Sequence, residues 1–244
     1  MRQVVVLCGG YGRRMGEITG GRQKCLVTVA GRPFLWHVLD AAAVEPTIDE
    51  IVLLAAHEAA RVEEFAEHWH RANGQVSRVR VVAEQVAAGP VAALRAAADS
   101  LAPQFLLLLG DVLPPPGEDL RDRLSATAHE TGADAVMLTA PVSAGYDPGN
   151  VLAEGARVTR YGAAATGELI DRGVRWMRAD VVTDVAGDDD ARFFGTLARQ
   201  GRLAHHRVDD KIVEVGTPQR WSIADALLSD RGGPASGDRA EGSR

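Results

Sequence analysis

Five apolar runs of strand length, interrupted only by Arg80, constrain this chain more than any other feature: Val4–Leu7, Ile51–Ala55, Val79–Val82, Phe105–Leu109 and Ala135–Leu138. A strand that is apolar on both faces must be covered on both faces, which is the condition of a parallel sheet with crossover helices. The segments between the runs carry the matching helical signal. After Pro33, placed for a first helical position, Phe34, Leu35, Val38, Leu39 and Ala42 recur with helical spacing, and similar patterns cover 58–72, 89–101 and 118–131. The alternation stops near Pro141. Short strands follow at Asn150–Ala153 and Arg157–Tyr161, joined by a Glu-Gly turn as a hairpin, then strands at 172–178 and 203–215 and a helix at 218–228. The expected fold is α/β: a Rossmann-like three-layer sandwich with a mostly parallel mixed sheet and a small β-hairpin portion. Its length of 244 residues suits one domain over 1–228, with a half at about 1–140, a second half at about 141–228, and a disordered polar tail at 229–244.

In open parallel sheets ligands bind at the carboxyl ends of the strands. Two features stand at such ends. The first run breaks into Cys8-Gly9-Gly10-Tyr11-Gly12-Arg13-Arg14, and the Phe105–Leu109 run ends in Gly110-Asp111. Glycines let backbone N–H groups approach a polyphosphate, and fixed cations neutralise it. The loop is not a Walker phosphate loop, since no Lys-Ser or Lys-Thr pair follows its last glycine. Nor is it a dinucleotide fingerprint, because Gly10, Gly12 and Gly16 place one residue too many before the third glycine. It runs to Lys24 before any helix begins, so it is expected to wrap its ligand. Asp111 suits a magnesium site that combines one or two carboxylates with phosphate oxygens, or else a strand-ending turn. Glu214, flanked by Val213 and Val215, is a second acid on an apolar strand.

Several function classes are disfavoured. A formal net charge of -6 argues against nucleic-acid binding. No apolar stretch is long enough to span a membrane, and the chain opens directly into a strand without a charged-apolar-small leader, so a cytoplasmic protein is expected. Cys8 and Cys25 make neither a disulfide framework nor a zinc pattern, and Cys8 reads as a small apolar core residue. His57, His68, His70, His205 and His206 lack metal spacing. Asp188-Asp189-Asp190 reads as a solvated turn and helix start.

Taken in chain order, the motifs resemble those of the sugar-1-phosphate nucleotidylyltransferases, the family typified by glucose-1-phosphate thymidylyltransferase and mannose-1-phosphate guanylyltransferase. Leu7 through Met15 resembles L-A-G-G-x-G-T-R-L, with Lys24 at the loop lysine, and Gly31-Arg32-Pro33-Phe34-Leu35 resembles G-(K/R)-P-(F/M)-L. Glu84 through Leu94 resembles E-x-x-x-x-G-T-A-G-A-L, Leu109-Gly110-Asp111 the (N/G)-G-D metal motif, and Val213 through Pro218 the (I/V)-D-(I/V)-G-T-P motif. The resemblance implies a GT-A-like form of that fold, a nucleoside triphosphate and a sugar 1-phosphate as partners, Mg²⁺ as cofactor, and a homo-oligomer as an option. It implies phosphate-gripping roles for Arg14, Arg13 and Lys24, nucleotide contacts from Leu7, Gly9, Gly10, Gly12, Glu84, Gly89 and Pro90, and metal ligation by Asp111 and Glu214. Glu84 would read guanine, whose N1–H and N2–H₂ suit an acceptor-only carboxylate, unless Gln85 takes that place. The helix start is closest in look to D-glycero-D-manno-heptose 1-phosphate guanylyltransferases, so GTP and a heptose or mannose-like 1-phosphate are expected.

The chain departs from the pattern at Arg13, Pro90 and Glu214. The E-K-P lysine that grips the sugar phosphate is absent near Tyr161-Gly162-Ala163-Ala164. Gly149, Asp171 and Arg172 are the candidates for that half of the site. Three other readings remain: a catalytically impaired nucleotide-sugar-binding regulatory subunit, a thymidylyl- or uridylyltransferase for a hexose 1-phosphate, and a glycosyltransferase, which would carry D-x-D where this chain has Gly110-Asp111-Val112.

Overall fold

The structure is a computed structural model, and it describes residues 2–43, 48–73, 78–83, 89–115, 120–142, 148–165, 167–187, 189–209 and 213–231. In chain order the elements are β1 (Gln3–Leu7), 3-10 turns at Arg13–Thr19 and Lys24–Leu26, a hairpin of β2 (Thr28–Val29) and β3 (Arg32–Pro33), α1 (Phe34–Ala43), β4 (Glu50–Ala55), α2 (Ala59–Asn73) and β5 (Arg78–Ala83). Then come α3 (Pro90–Ala96), β6 (Gln104–Leu109), β7 (Val112–Leu113), α4 (Leu120–Thr131), β8 (Ala135–Pro141), β9 (Val151–Glu154), β10 (Arg157–Tyr161) and β11 (Leu169–Arg178). The chain closes with α5 (Asp180–Asp184), α6 (Asp190–Arg199), β12 (Leu203–Arg207), β13 (Val213–Glu214) and α7 (Pro218–Arg231).

All five aliphatic runs are strands of one nine-stranded sheet, ordered β5-β4-β1-β6-β11-β8-β12-β10-β9. Pairing is parallel through β5, β4, β1 and β6 and again between β8 and β12. Only β11 and β10 run against the others, so the sheet is mixed but mostly of one direction. Alternate residues of the same strands feed two cores. Val4, Val6, Ile51, Leu53, Leu106 and Leu108 pack with α1, α2, α4 and α7 on one face. Val5, Val52, Leu54, Phe105 and Leu107 pack with α3, α5 and α6 on the other. These are the three layers expected of an α/β sandwich.

Within α1, Phe34, Leu35, Val38 and Leu39 are fully buried. Each contributes roughly 1.5–3 kcal/mol by leaving water, and truncation of Phe34 to Ala costs about 3–5 kcal/mol. At the amino ends of the strands, the Gln3 side chain locks the register. Its Nε2 donates to Glu50 Oε2 at 2.6 Å and to Ser100 O at 2.9 Å, and its Oε1 accepts from Ala102 N at 2.8 Å. That polar knot sits at the end away from the loops that carry the site.

The structure departs from the sequence reading in four places. Pro33 pairs with Thr28 in the β2–β3 hairpin, and α1 begins one residue later. The 203–215 segment is two strands in two sheets: β12 pairs with β8, and β13 with β7. Residues 229–231, expected in the tail, continue α7; the remainder of the tail lies outside the described residues. Helix α6 follows the expected start, with Asp189 as its cap accepting from Arg192 N at 2.9 Å. Asp190 is not a solvated acid, however: Arg175 Nη2 donates to its Oδ2 at 2.7 Å. Among the described residues no helix is long and apolar enough to cross a membrane.

Candidate active site

The β1–α1 connection folds back on itself so that both ends of the glycine-arginine loop reach one cleft. Gly12 turns the chain at φ 64°, and Met15 N donates to Gly12 O at 2.8 Å to open the 3-10 turn. Met15, 1% exposed, anchors that turn in the core while Arg13 and Arg14 stay exposed. Only glycine suits position 12. A Cβ there would lie 3.0 Å from Thr19 Cγ2 and 3.1 Å from Lys24 Cβ, in a left-handed conformation that L residues disfavour. The loop therefore includes a 3-10 turn rather than being irregular up to Lys24. It returns with Lys24 N against Gly10 O at 3.4 Å.

The two strand-end features meet as the topology requires. Gly110 N donates to Leu7 O at 3.0 Å, and Lys24 Nζ forms an ion pair with Asp111 Oδ2. Gly110 is needed for this closeness, since a Cβ there would sit 2.8 Å from Leu7 O and 3.4 Å from both Cys8 Sγ and Cys25 Cβ. The β7–β13 pair then sets Glu214 opposite Val112, with Val215 N donating to Asp111 O at 3.0 Å. The backbone segments that carry Asp111 and Glu214 are thus joined although they are distant in sequence.

Two connected recesses result. A cleft of about 310 Å³ is walled by Leu7, Gly9, Gly10 and Leu109 at the strand ends, by Gly89, Pro90 and Ala93 of α3, and by Lys24 and Asp111. A second of about 280 Å³ is lined by Gly12, Arg13, Arg14 and Gly216 and shares Tyr11 and Lys24 with the first. The first offers an apolar slot with small residues; the second is cationic. Cys8 and Cys25 form the floor, both buried. A hydrogen bond with Cys25, then burial, pushes the Cys8 thiol well above its ordinary range, so it is an inert core thiol.

Sequence reasoning missed Tyr11, the exposed aromatic at the junction of the recesses. It stacks on His57 at 5.0 Å between centroids and carries the Arg13 guanidinium 5.5 Å from its ring. Its place between two glycines was the only signal.

Glu84, and Gln85 beside it, lie outside the described residues. The three residues assigned to the sugar phosphate line neither recess. Gly149 bridges Gly167 so closely that a Cβ would lie 1.8 Å from Gly167 O, which gives this glycine a packing reason. Arg172 is 1% exposed. The Asp171 carboxylate is committed inside the protein: it accepts from Tyr161 OH at 2.9 Å, Gly173 N at 2.9 Å and Arg175 Nη2 at 2.6 Å. Burial alone would lower the Arg175 pKa, but Asp171 and Asp190 outweigh it and hold the guanidinium charged. Burial, then the Asp171 charge, raises the Tyr161 pKa well above the usual phenol range.

Magnesium is the metal the motifs imply, and the donor set fits it. Among the described residues no cluster of three or more acids, histidines or cysteines forms a closed cage. Asp111, which lines the first recess, and Glu214, on the strand paired with β7, supply the one or two carboxylates that such an ion takes together with phosphate oxygens.

A family model described as the MobA-like NTP transferase domain matches residues 4–183. The chain belongs to that family. This NTP transferase domain is 33% identical over 63 residues to a probable glucose-1-phosphate cytidylyltransferase of Bacillus subtilis, covering 26% of this chain and 24% of that protein. It is 32% identical over 140 residues to the CMP-5'-(3-aminopropyl)phosphonate synthase of Streptomyces rubellomurinus, covering 57% of this chain and 21% of that one. The chain thus spans a quarter or less of the length of these curated relatives. Among solved structures, HddC from Yersinia pseudotuberculosis in complex with GMP-PN superposes with a TM-score of 0.73 at 18% identity, over 93% of this chain and 100% of that one. That likeness establishes the shared GT-A-like fold.

Proposed function

We propose that the protein transfers a nucleotidyl group from a nucleoside triphosphate to a sugar 1-phosphate, giving a nucleotide-sugar and pyrophosphate. The observation that carries this reading is the convergence of the arginine loop, Lys24 and Asp111 on one cleft at the carboxyl ends of β1 and β6. A phosphate oxygen of the acceptor attacks the α-phosphorus in line, and pyrophosphate leaves. Two polyanions must be held together, so positioning and charge neutralisation dominate, and no covalent enzyme intermediate is needed. Arg14, assisted by Arg13, holds the β- and γ-phosphates as negative charge builds on the leaving group. Lys24 holds the α-phosphate beside the incoming one. Asp111 and Glu214 hold Mg²⁺, which supplies charge neutralisation on the triphosphate when bound. The base lies in the apolar slot against Gly89, Pro90 and Ala93.

GTP is the proposed donor, on the acceptor-only chemistry of Glu84, with CTP the main competitor because the two curated relatives named above are cytidylyl enzymes by name. A heptose or mannose-like 1-phosphate is the proposed acceptor. Pyrophosphate release measured for four triphosphates crossed with sugar 1-phosphates and a short alkylphosphonate, with and without Mg²⁺, tests the reading. Release with one pair and its loss on chelation are expected; silence with nucleotide binding retained refutes transfer. A regulatory nucleotide-sugar-binding subunit is the second reading. It is favoured by the burial of Arg172 and the internal commitment of Asp171, and it predicts that silent outcome.

A further inference from the structure

Both carboxylates at the candidate metal position are already paired with cations of the chain itself. Lys24 Nζ pairs with Asp111 Oδ2, and Arg220 Nη1 with Glu214 Oε1. The backbone segments that carry the two acids are joined by the Val215 N to Asp111 O bond of 3.0 Å. Side-chain exposure is 16% and 22% in the first pair and 14% and 17% in the second, so the four charges act across partly dewatered space. Arg220 also borders the cationic recess. Its Nη1 lies 3.9 Å, and Glu214 Oε2 3.8 Å, from where a Cβ on Gly216 would sit, and Gly216 lines that recess with Arg13 and Arg14.

A bare dication approaching this quartet meets two carboxylates and two cations whose charges cancel. A metal-bound triphosphate differs, because its oxygens offer the two cations new partners. We propose that Arg220 and Lys24 are resident counter-ions of Glu214 and Asp111, and that they exchange onto phosphate oxygens when a metal-bound triphosphate enters. Arg220 is then a positioning residue that keeps Glu214 in place and becomes a further guanidinium beside Arg13 and Arg14. The identity of the polyanion rests on the nucleotidyl-transfer reading, whereas the quartet itself is tested without turnover.

The probe is Mn²⁺ alone, titrated into the nucleotide-free full-length protein and followed by the electron paramagnetic resonance of the free ion. Removing one unit charge a few ångströms from the carboxylates should raise Mn²⁺ affinity about tenfold in Arg220→Gln. Arg220→Lys should stay near the wild type, and adding Glu214→Gln to Arg220→Gln should abolish the gain. Lys24→Met reads the same effect from the Asp111 side should Arg220→Gln fail to fold. An unchanged or weaker affinity on losing the cation overturns the proposal. So does a gain that Arg220→Lys shares, or one that survives loss of Glu214. Pyrophosphate release is read separately: the expected Mn²⁺ shifts without any release refute nucleotidyl transfer alone, and release without the shifts refutes the counter-ion role alone.

Discussion

Removing the Asp171 carboxylate separates a structural acid from a ligand-binding one. In Asp171→Ala, Arg175 loses its nearest counter-charge, and Tyr161 OH and Gly173 N lose their acceptor. The Arg175 side chain is 2% exposed and that of Asp171 4%, so water cannot replace the lost partner without opening the core. Stranding one member of a buried ion pair typically costs about 3–5 kcal/mol. Here Asp190 still pairs with Arg175 at 2.7 Å, and the ring of Phe194 lies 4.2 Å from the guanidinium carbon, which pulls the cost toward the lower end. About 3 kcal/mol is therefore expected, a fall in Tm of roughly 6–12 °C for a domain of this size. Urea unfolding at equilibrium measures it, with an unchanged slope required for the comparison. Asp171→Leu with Arg175→Met should recover only part of the loss, because the buried pair is replaced together while Asp190, Tyr161 OH and Gly173 N lose these partners. The reasoning fails if Asp171→Ala unfolds within about 0.5 kcal/mol of the wild type, a surface-like value, while its KM for the sugar phosphate rises.

Arg14→Ala should lower turnover by two to three orders of magnitude, roughly the loss of one strong transition-state hydrogen-bond partner, in a pyrophosphate-release assay; unchanged kcat removes Arg14 from the mechanism. Gly12→Ala should cost about 1–2 kcal/mol through its left-handed φ of 64°, and should also weaken triphosphate binding by pushing on Lys24. Calorimetric titration with a non-hydrolysable triphosphate reads the second effect, and wild-type affinity would contradict it. Burial, then the charge of Arg123, lowers the pKa of His206 below the usual 6.5. The unfolded chain then binds the extra proton more readily. The contribution of His206 is complete above about pH 6.5 and is lost as pH falls through the folded value. His206→Gln should flatten the acid side of a stability–pH curve between pH 7 and 5, and an unaltered slope there would refute the linkage.

The sheet was legible in the sequence because strands covered on both faces must be apolar at every position, as Val4–Leu7 and Phe105–Leu109 are. The residues of the candidate cleft were legible for a related reason. Glycine at position 12 and acid at position 111 are set by local backbone demands at strand ends, and such demands leave residue types as their signature. Helix α6 was only half visible: its Asp189 cap could be read, but the partnership of Asp190 with Arg175 joins elements whose adjacency no local pattern encodes.

By itself the sequence determined the layered α/β plan, and the glycine-arginine loop and the acid at the strand ends that line the candidate cleft. Tertiary structure alone decided which charges are available there. Asp171 and Arg172 look like site residues as a polar pair on a strand, yet Asp171 lies in a dry ion pair with Arg175, which also reaches Asp190 of α6, and Arg172 is buried. Arg220, unremarkable in a helix, pairs with Glu214 across the turn between β13 and α7. The physical reason is that local propensity follows from each residue's own neighbours along the chain. The partner of a charge such as Lys24, 87 residues from Asp111, depends on contacts that exist only once both cores have closed.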